Sequence, residues 1–347
     1  MSKKTLYLHI GTNKTGTTTI QRFMARNRAK LRARGIFYPE KGPNSGGNHS
    51  MFARDLQQLS GGKIARAELW ESFLQQVDES TLAMTVVSGE VFWSFGKELP
   101  HVQRMIGDLK AHFDDIRVVC YLRRQDLYLR SCYVQAIKSG RSSLGFHEYI
   151  EKIAIGKKYR AHEYDKSLDL WASAFGVENI IVRPFERAQL HERGLVVDFC
   201  EACNIDWRPF NVASARVANV SPGVRVMAAL LYAQTQLPSQ KGTDLVARRQ
   251  TALCSAMAKQ LSSSWDDTPF IGFRYGESRA FLDRFRDGNA YVARKYLHRA
   301  DGRLFYDEAY QELPDGVDDG VTLTPAEIAQ VDELVSQVKA ELATLKA

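Results

Sequence analysis

The stretch from Leu6 to Arg34 constrains the fold more than any other part of the chain. A short apolar run, Leu6–Ile10, has the length of a buried strand and ends at Gly11. From Thr17 to about Arg34 the apolar residues Ile20, Phe23, Met24 and Leu31 recur on one side of a helix. Between them lies Gly11-Thr12-Asn13-Lys14-Thr15-Gly16. Glycine reaches backbone angles that aim successive N–H groups at one point, and the following helix start adds its positive end. Such a loop binds an anion. The threonines at 17 and 18 add hydroxyl donors.

Strands and helices alternate onward. Leu82–Ser88, Ile116–Leu122 and Asn179–Val182 read as strands; residues 50–60, 64–78, 100–113, Asp126–Ser139, Asp165–Phe175 and Leu190–Cys203 read as helices. Residues 39–48, rich in Gly, Pro and Asn, read as a loop. Apolar strands separated by helices predict an α/β fold, a P-loop-like parallel sheet flanked by helices. Beyond residue 205 helices dominate: Pro222–Gln236, Thr243–Ser262, Ser278–Tyr296, and a last one opened by Thr324-Pro325-Ala326-Glu327, a capping signature. The acidic stretch 307–319 reads as a surface loop. With no convincing linker, 1–347 is expected to be a single domain: a nucleotide-binding core over 1–205 and a helical extension on the acceptor side over 206–347.

At 347 residues with 25% charged side chains the chain is neither disordered nor fibrous. No run is long and apolar enough for a membrane span, and no signal peptide is expected. Five cysteines suit a reduced, cytoplasmic protein better than a disulfide framework. The net charge of +7 is uneven: nine Lys and Arg and no Asp or Glu precede Glu40. A basic start attracts phosphates, nucleic acid or an acidic substrate.

The ATPase loop pattern ends in Gly-Lys-Ser/Thr, but Thr17 follows Gly16 here and the lysine, Lys14, lies inside the loop. A second anion site is expected at the strand end Arg123-Arg124: an arginine there projects into the crevice above a parallel sheet, and its planar guanidinium matches a phosphate. Ser131, eight residues on, supplies a hydroxyl from the next helix.

Lys14-Thr15-Gly16-Thr17-Thr18 after a first strand resembles the 5′-phosphosulfate loop of sulfotransferases, which use 3′-phosphoadenosine 5′-phosphosulfate (PAPS), and Arg123 with Ser131 is similar to their 3′-phosphate site. The resemblance covers roughly residues 5–200 and points to the bacterial carbohydrate-type members. It implies that Lys14 contacts the bridging oxygen and the sulfuryl group. It implies too that Thr17 and Thr18 hold the 5′-phosphate by their hydroxyls, with Thr15 and Gly16 donating from the backbone. Many members carry Pro two residues after the arginine, where this chain has Gln125. The doubled arginine leaves Arg124 open as a participant.

The acceptor hydroxyl must lose a proton, so a base is needed. Glu90, at a strand end in Ser88-Gly89-Glu90, and His49, just after the glycine-rich loop, are both candidates. The resemblance allows either, since members use Glu or His. His9 reads as a core residue, and Cys200 and Cys203 as buried thiols on a helix. Asn289, Arg294 and Lys295 lie on a late helix, and Phe185 in a strand-end segment similar to one of the same fold.

The expected function is transfer of a sulfuryl group from PAPS to a hydroxyl of a carbohydrate or glycoconjugate, without metal and with no nucleic-acid partner. A P-loop nucleotide kinase or NTPase and a basic nucleic-acid-binding protein are the alternatives.

Overall fold

The computed structural model describes residues 3–40, 46–60, 67–95, 100–155, 162–212, 221–237, 245–273, 275–306 and 321–345. The chain groups into two compact units: residues 1–124, 160–217 and 284–308 form the first, and 125–159, 218–283 and 309–347 the second.

The first unit is built on a parallel sheet of five strands in the order β2-β3-β1-β4-β5. The strands are β1 (Thr5–Gly11), β2 (Ile36–Phe37), β3 (Met84–Ser88), β4 (Asp115–Leu122) and β5 (Ile180–Pro184). The helices α1 (Thr17–Arg26), α2 (Arg28–Arg32), α3 (Ser50–Ser60), α4 (Glu68–Glu79) and α5 (Pro100–His112) precede β4. After it come α6 (Gln125–Lys138) and α7 (Phe146–Ile155), which belong to the second unit, and then α8 (Tyr164–Phe175) and α9 (Leu195–Ala202), which belong to the first.

Period-two alternation sorts the strand side chains. Leu6, Leu8 and Ile10 of β1 and Val118, Cys120 and Leu122 of β4 point to one face, against Phe52, Trp70, Phe73, Met105 and Trp171 of the helices. Tyr7, Val119 and Tyr121 point to the other, against Ile20, Phe23 and Met24 of α1 and Phe199 of α9. Both faces are covered, so the strands read as continuous apolar runs. Each large side chain fully buried there contributes roughly 1.5–3 kcal/mol of transfer free energy. The chain leaves β1 toward β2 and β3 on one side, and β4 lies on the other. The carboxyl end of β1 is therefore the switch point where such sheets hold ligands.

The second unit is helical among its described residues: α6, α7, α10 (Val224–Gln236), α11 (Leu245–Ser264), α12 (Tyr275–Asp283) and α14 (Pro325–Thr344). α13 (Arg286–Leu297) returns to the first unit. The capping signature forms as expected: Glu327 N–H donates to Thr324 Oγ1 at 3.3 Å, and Thr324 N–H donates back to the Glu327 carboxylate at 2.8 Å. Among the described residues no helix is long and apolar enough to cross a membrane.

Several boundaries differ from the periodicity. The first helix breaks at Asn27, whose side-chain amide donates to Phe23 O at 2.8 Å and so competes with the helix ladder. The helix expected over 190–203 starts only at Leu195, because Gly194 stands at φ 96 outside helical angles. The late helix expected over 278–296 is two, parted at Arg284–Phe285. β2, two residues long, and α7 escaped the sequence reading. Residues 41–45 of the glycine-rich loop and all of 307–319 lie outside the described residues.

Candidate active site

The loop after β1 takes its shape from three left-handed residues. Gly11 stands at φ 92, Lys14 at φ 67 and Gly16 at φ 76. The two glycines adopt such angles freely; for Lys14 the cost is about 1 kcal/mol. Neighbouring bonds hold it there. Thr12 donates from N–H and Oγ1 to Tyr121 O at 2.8 and 3.2 Å, sewing the loop to the end of β4. Thr15 Oγ1 donates to Thr12 O at 2.6 Å, and Arg123 Nη1 donates to Lys14 O at 2.9 Å.

Gly16 is the N-cap of α1 and brings no side chain to accept from the helix start. The first N–H groups of a helix have no acceptor within it, so this end offers donors and a positive partial charge. Substitution at Gly16 is strained: its φ of 76 disfavours any side chain, and a Cβ there would lie 2.2 Å from Leu195 Cδ2, which must shift. Thr17 is buried and Thr18 exposed.

Arg123, half-buried just past β4, lies over the Phe185 ring at 5.8 Å. Its own carbonyl accepts from the Tyr164 hydroxyl at 2.6 Å. Arg124 beside it is buried. The strand-end cation is thus fastened to the anion loop itself. Ser131 is half-buried on α6, in the second unit.

Glu90 opens a single 3₁₀ turn (Glu90–Ser94) after β3. A Cβ built on Gly11 would come 3.0 Å from Glu90 Cβ, so this acidic turn abuts the start of the loop. Its carboxylate accepts from Gln21 Nε2 at 3.0 Å and from Asn48 Nδ2 at 3.1 Å to each oxygen. Neither amide was found from sequence. The signals were slight: Gln21 is a polar residue beside Ile20 and Met24, and Gly46-Gly47 marks the turn that delivers Asn48.

His49 is fully buried, and main chain meets both of its ring nitrogens. Ser88 N–H donates to Nδ1 at 3.0 Å, which leaves the proton on Nε2, 3.0 Å from Pro39 O. The ring stacks on Phe52 at 5.3 Å. His9 is buried as expected, Nδ1 paired with Ser88 Oγ at 2.8 Å. Desolvation pushes its pKa down to about 3, so it stays neutral. Cys200 and Cys203 are free, buried thiols pushed up by the same effect.

Behind the loop, Arg183 pairs with the buried Asp198, which also accepts from the Tyr121 hydroxyl at 2.6 Å and from His191 N–H at 2.9 Å. This network ties β4, β5 and α9 together. Lys295 is engaged by Asp169 at 2.9 Å and the Tyr291 hydroxyl at 2.7 Å, while Arg294 is exposed. Part of the early positive charge is structural: Arg28, Arg32 and Arg34 lie over Tyr38, Phe37 and Phe210 at 5.4, 5.8 and 5.5 Å. Among the described residues no cluster of three or more His, Cys, Asp or Glu could hold a metal ion.

No family model matches the chain. Over 90 residues it is 42% identical to an uncharacterized protein of Archaeoglobus fulgidus, a match of 26% of this chain and 23% of that protein's length. A crystal structure of a sulfotransferase from Alicyclobacillus acidocaldarius superposes on 80% of this chain and 100% of its own, with 15% identity and a TM-score of 0.39.

Proposed function

We propose that the chain is a sulfotransferase that moves a sulfuryl group from PAPS to a hydroxyl of a carbohydrate or glycoconjugate. The loop after β1 carries the reading: an uncapped helix start, Lys14 inside the loop, and Arg123 bonded to the Lys14 carbonyl. A doubly phosphorylated nucleotide suits two anion sites joined in this way. In this reading the α1 start, Thr17 and Thr18 bind the 5′-phosphate, and Arg123 binds the 3′-phosphate.

The chemistry then asks little covalent work of the protein. The acceptor oxygen bonds to sulfur as the bond from sulfur to the bridging phosphate oxygen breaks. The hydroxyl proton passes to Glu90, and the electron pair leaves on adenosine 3′,5′-bisphosphate. Lys14 and the loop N–H groups meet that growing charge, where fixed donors act most strongly. Glu90 is preferred over His49 as base because its carboxylate oxygens keep lone pairs beyond the two amide donors, whereas both His49 nitrogens are bonded to main chain.

The test is transfer from labelled PAPS to a panel of glycans, phenols and lipids, beside thermal melts with adenosine 3′,5′-bisphosphate or with ATP and magnesium. Label in a glycan and a raised Tm with the bisphosphate are expected. Stabilisation by ATP and magnesium alone would move the chain to the kinase and NTPase class.

A further inference from the structure

Glu90 is held by neutral amides, and the way those amides are themselves fixed is informative. Asn48 Oδ1 accepts the Ser50 main-chain N–H at 2.7 Å. A main-chain N–H can only donate, so the amide oxygen must face Ser50 and the amide nitrogen must face Glu90. Asn48 therefore presents Nδ2 to both carboxylate oxygens at 3.1 Å. Gln21, buried on α1, adds its Nε2 at 3.0 Å.

Two glycines set this spacing. Gly47, at φ 83, lies so close to α1 that a Cβ would fall 2.3 Å from Gln21 O and 2.8 Å from Ala25 Cβ. A Cβ on Gly89 would fall 2.8 Å from Ser50 N. The Tyr38 hydroxyl donates to Gly47 O at 2.5 Å, His49 N–H donates to Ser88 O at 2.8 Å, and Ser88 N–H donates to the ring Nδ1 of His49 at 3.0 Å. The segment 47–50 is thus wedged between α1 and the end of β3. Among the described residues no Lys or Arg forms an ion pair with Glu90.

We infer that Asn48, supported by Gln21, is a positioning residue that holds the Glu90 carboxylate in one orientation without covering it with a cation. A paired cation would stabilise the anion and oppose proton uptake; neutral amides orient it at less expense to basicity. The inference rests on the sulfotransferase reading and on Glu90 as its base.

Asn48→Asp is the sharpest test. It keeps size and the bond to Ser50 but sets carboxylate against carboxylate. Transfer should fall about 100-fold in kcat, the loss typical of a displaced catalytic group, while affinity for adenosine 3′,5′-bisphosphate is unchanged. Gln21→Met should lower kcat less, again without loss of nucleotide affinity. Crystals of wild type and Asn48→Asp with the bisphosphate should show the carboxylate displaced only in the variant. An undisplaced carboxylate, or an Asn48→Asp enzyme with wild-type kcat, overturns the inference. If the wild type transfers no sulfuryl group at all, the functional reading falls instead, and the displacement in the crystals still decides the clamp.

Discussion

The two sides of the candidate site are built by different means. The loop after β1 is a main-chain device, made of left-handed residues and carbonyl bonds to Thr12 and Arg123. The turn after β3 is a side-chain device, in which Glu90 is aimed by the amides of Gln21 and Asn48. Main-chain devices tolerate exchange of exposed side chains but fail when a Cβ is added. Side-chain devices fail also at the side chain itself, since one atom changed from nitrogen to oxygen reverses them.

The comparison can be broken at either side. Lys14→Ala and Glu90→Gln should give the largest effects, each lowering kcat by about 100- to 1,000-fold with Tm preserved; turnover retained in either variant removes that residue from the chemistry. Gly16→Ala comes next. Its φ of 76 and the 2.2 Å approach of Leu195 should lower stability by about 1–3 kcal/mol in a denaturant melt, and nucleotide affinity with it. A Tm equal to wild type would mean that the loop is less tightly fixed than its contacts imply. Arg123→Ala, which frees the Lys14 carbonyl, should weaken adenosine 3′,5′-bisphosphate binding by about 1.5–3 kcal/mol in calorimetry.

A pH-dependent effect concerns His9, which joins the two sides through Ser88. Its folded pKa is pushed down to about 3 by burial, against 6.5 for the free side chain. Between those values the unfolded chain holds the extra proton, so stability falls as pH drops below 6.5, by at most ~1.4 kcal/mol per unit, and levels off near 3. His9→Gln should flatten that slope in melts at pH 7 and pH 4.5; an unchanged slope would assign the acid sensitivity to other groups.

The loop side was legible in the sequence and the Glu90 clamp was not. Gly11, Gly16 and Lys14 announce themselves because few residue types permit that backbone, and Arg123 because it ends an apolar run. The parallel sheet followed from the same apolar runs. Gln21 and Asn48 belong to no motif, since an amide reads alike on a solvated face and against a carboxylate. Their role depends on close approaches at Gly47 and Gly89 that only the folded chain reveals. The break at Asn27 was hidden because the apolar stripe runs on to Leu31, so period alone did not register a side chain bonding back onto its own helix.

The bond from Arg123 to the Lys14 carbonyl has a consequence for polarity. A trans peptide plane carries its C=O and N–H in opposite directions. With the oxygen of the plane between residues 14 and 15 latched to the guanidinium, the Thr15 N–H is turned the other way. Were that plane to flip, a carbonyl oxygen would point where the N–H now does. Arg123 therefore acts as a polarity lock as well as a cation: it keeps this peptide of the loop presenting hydrogen rather than oxygen on the side away from itself.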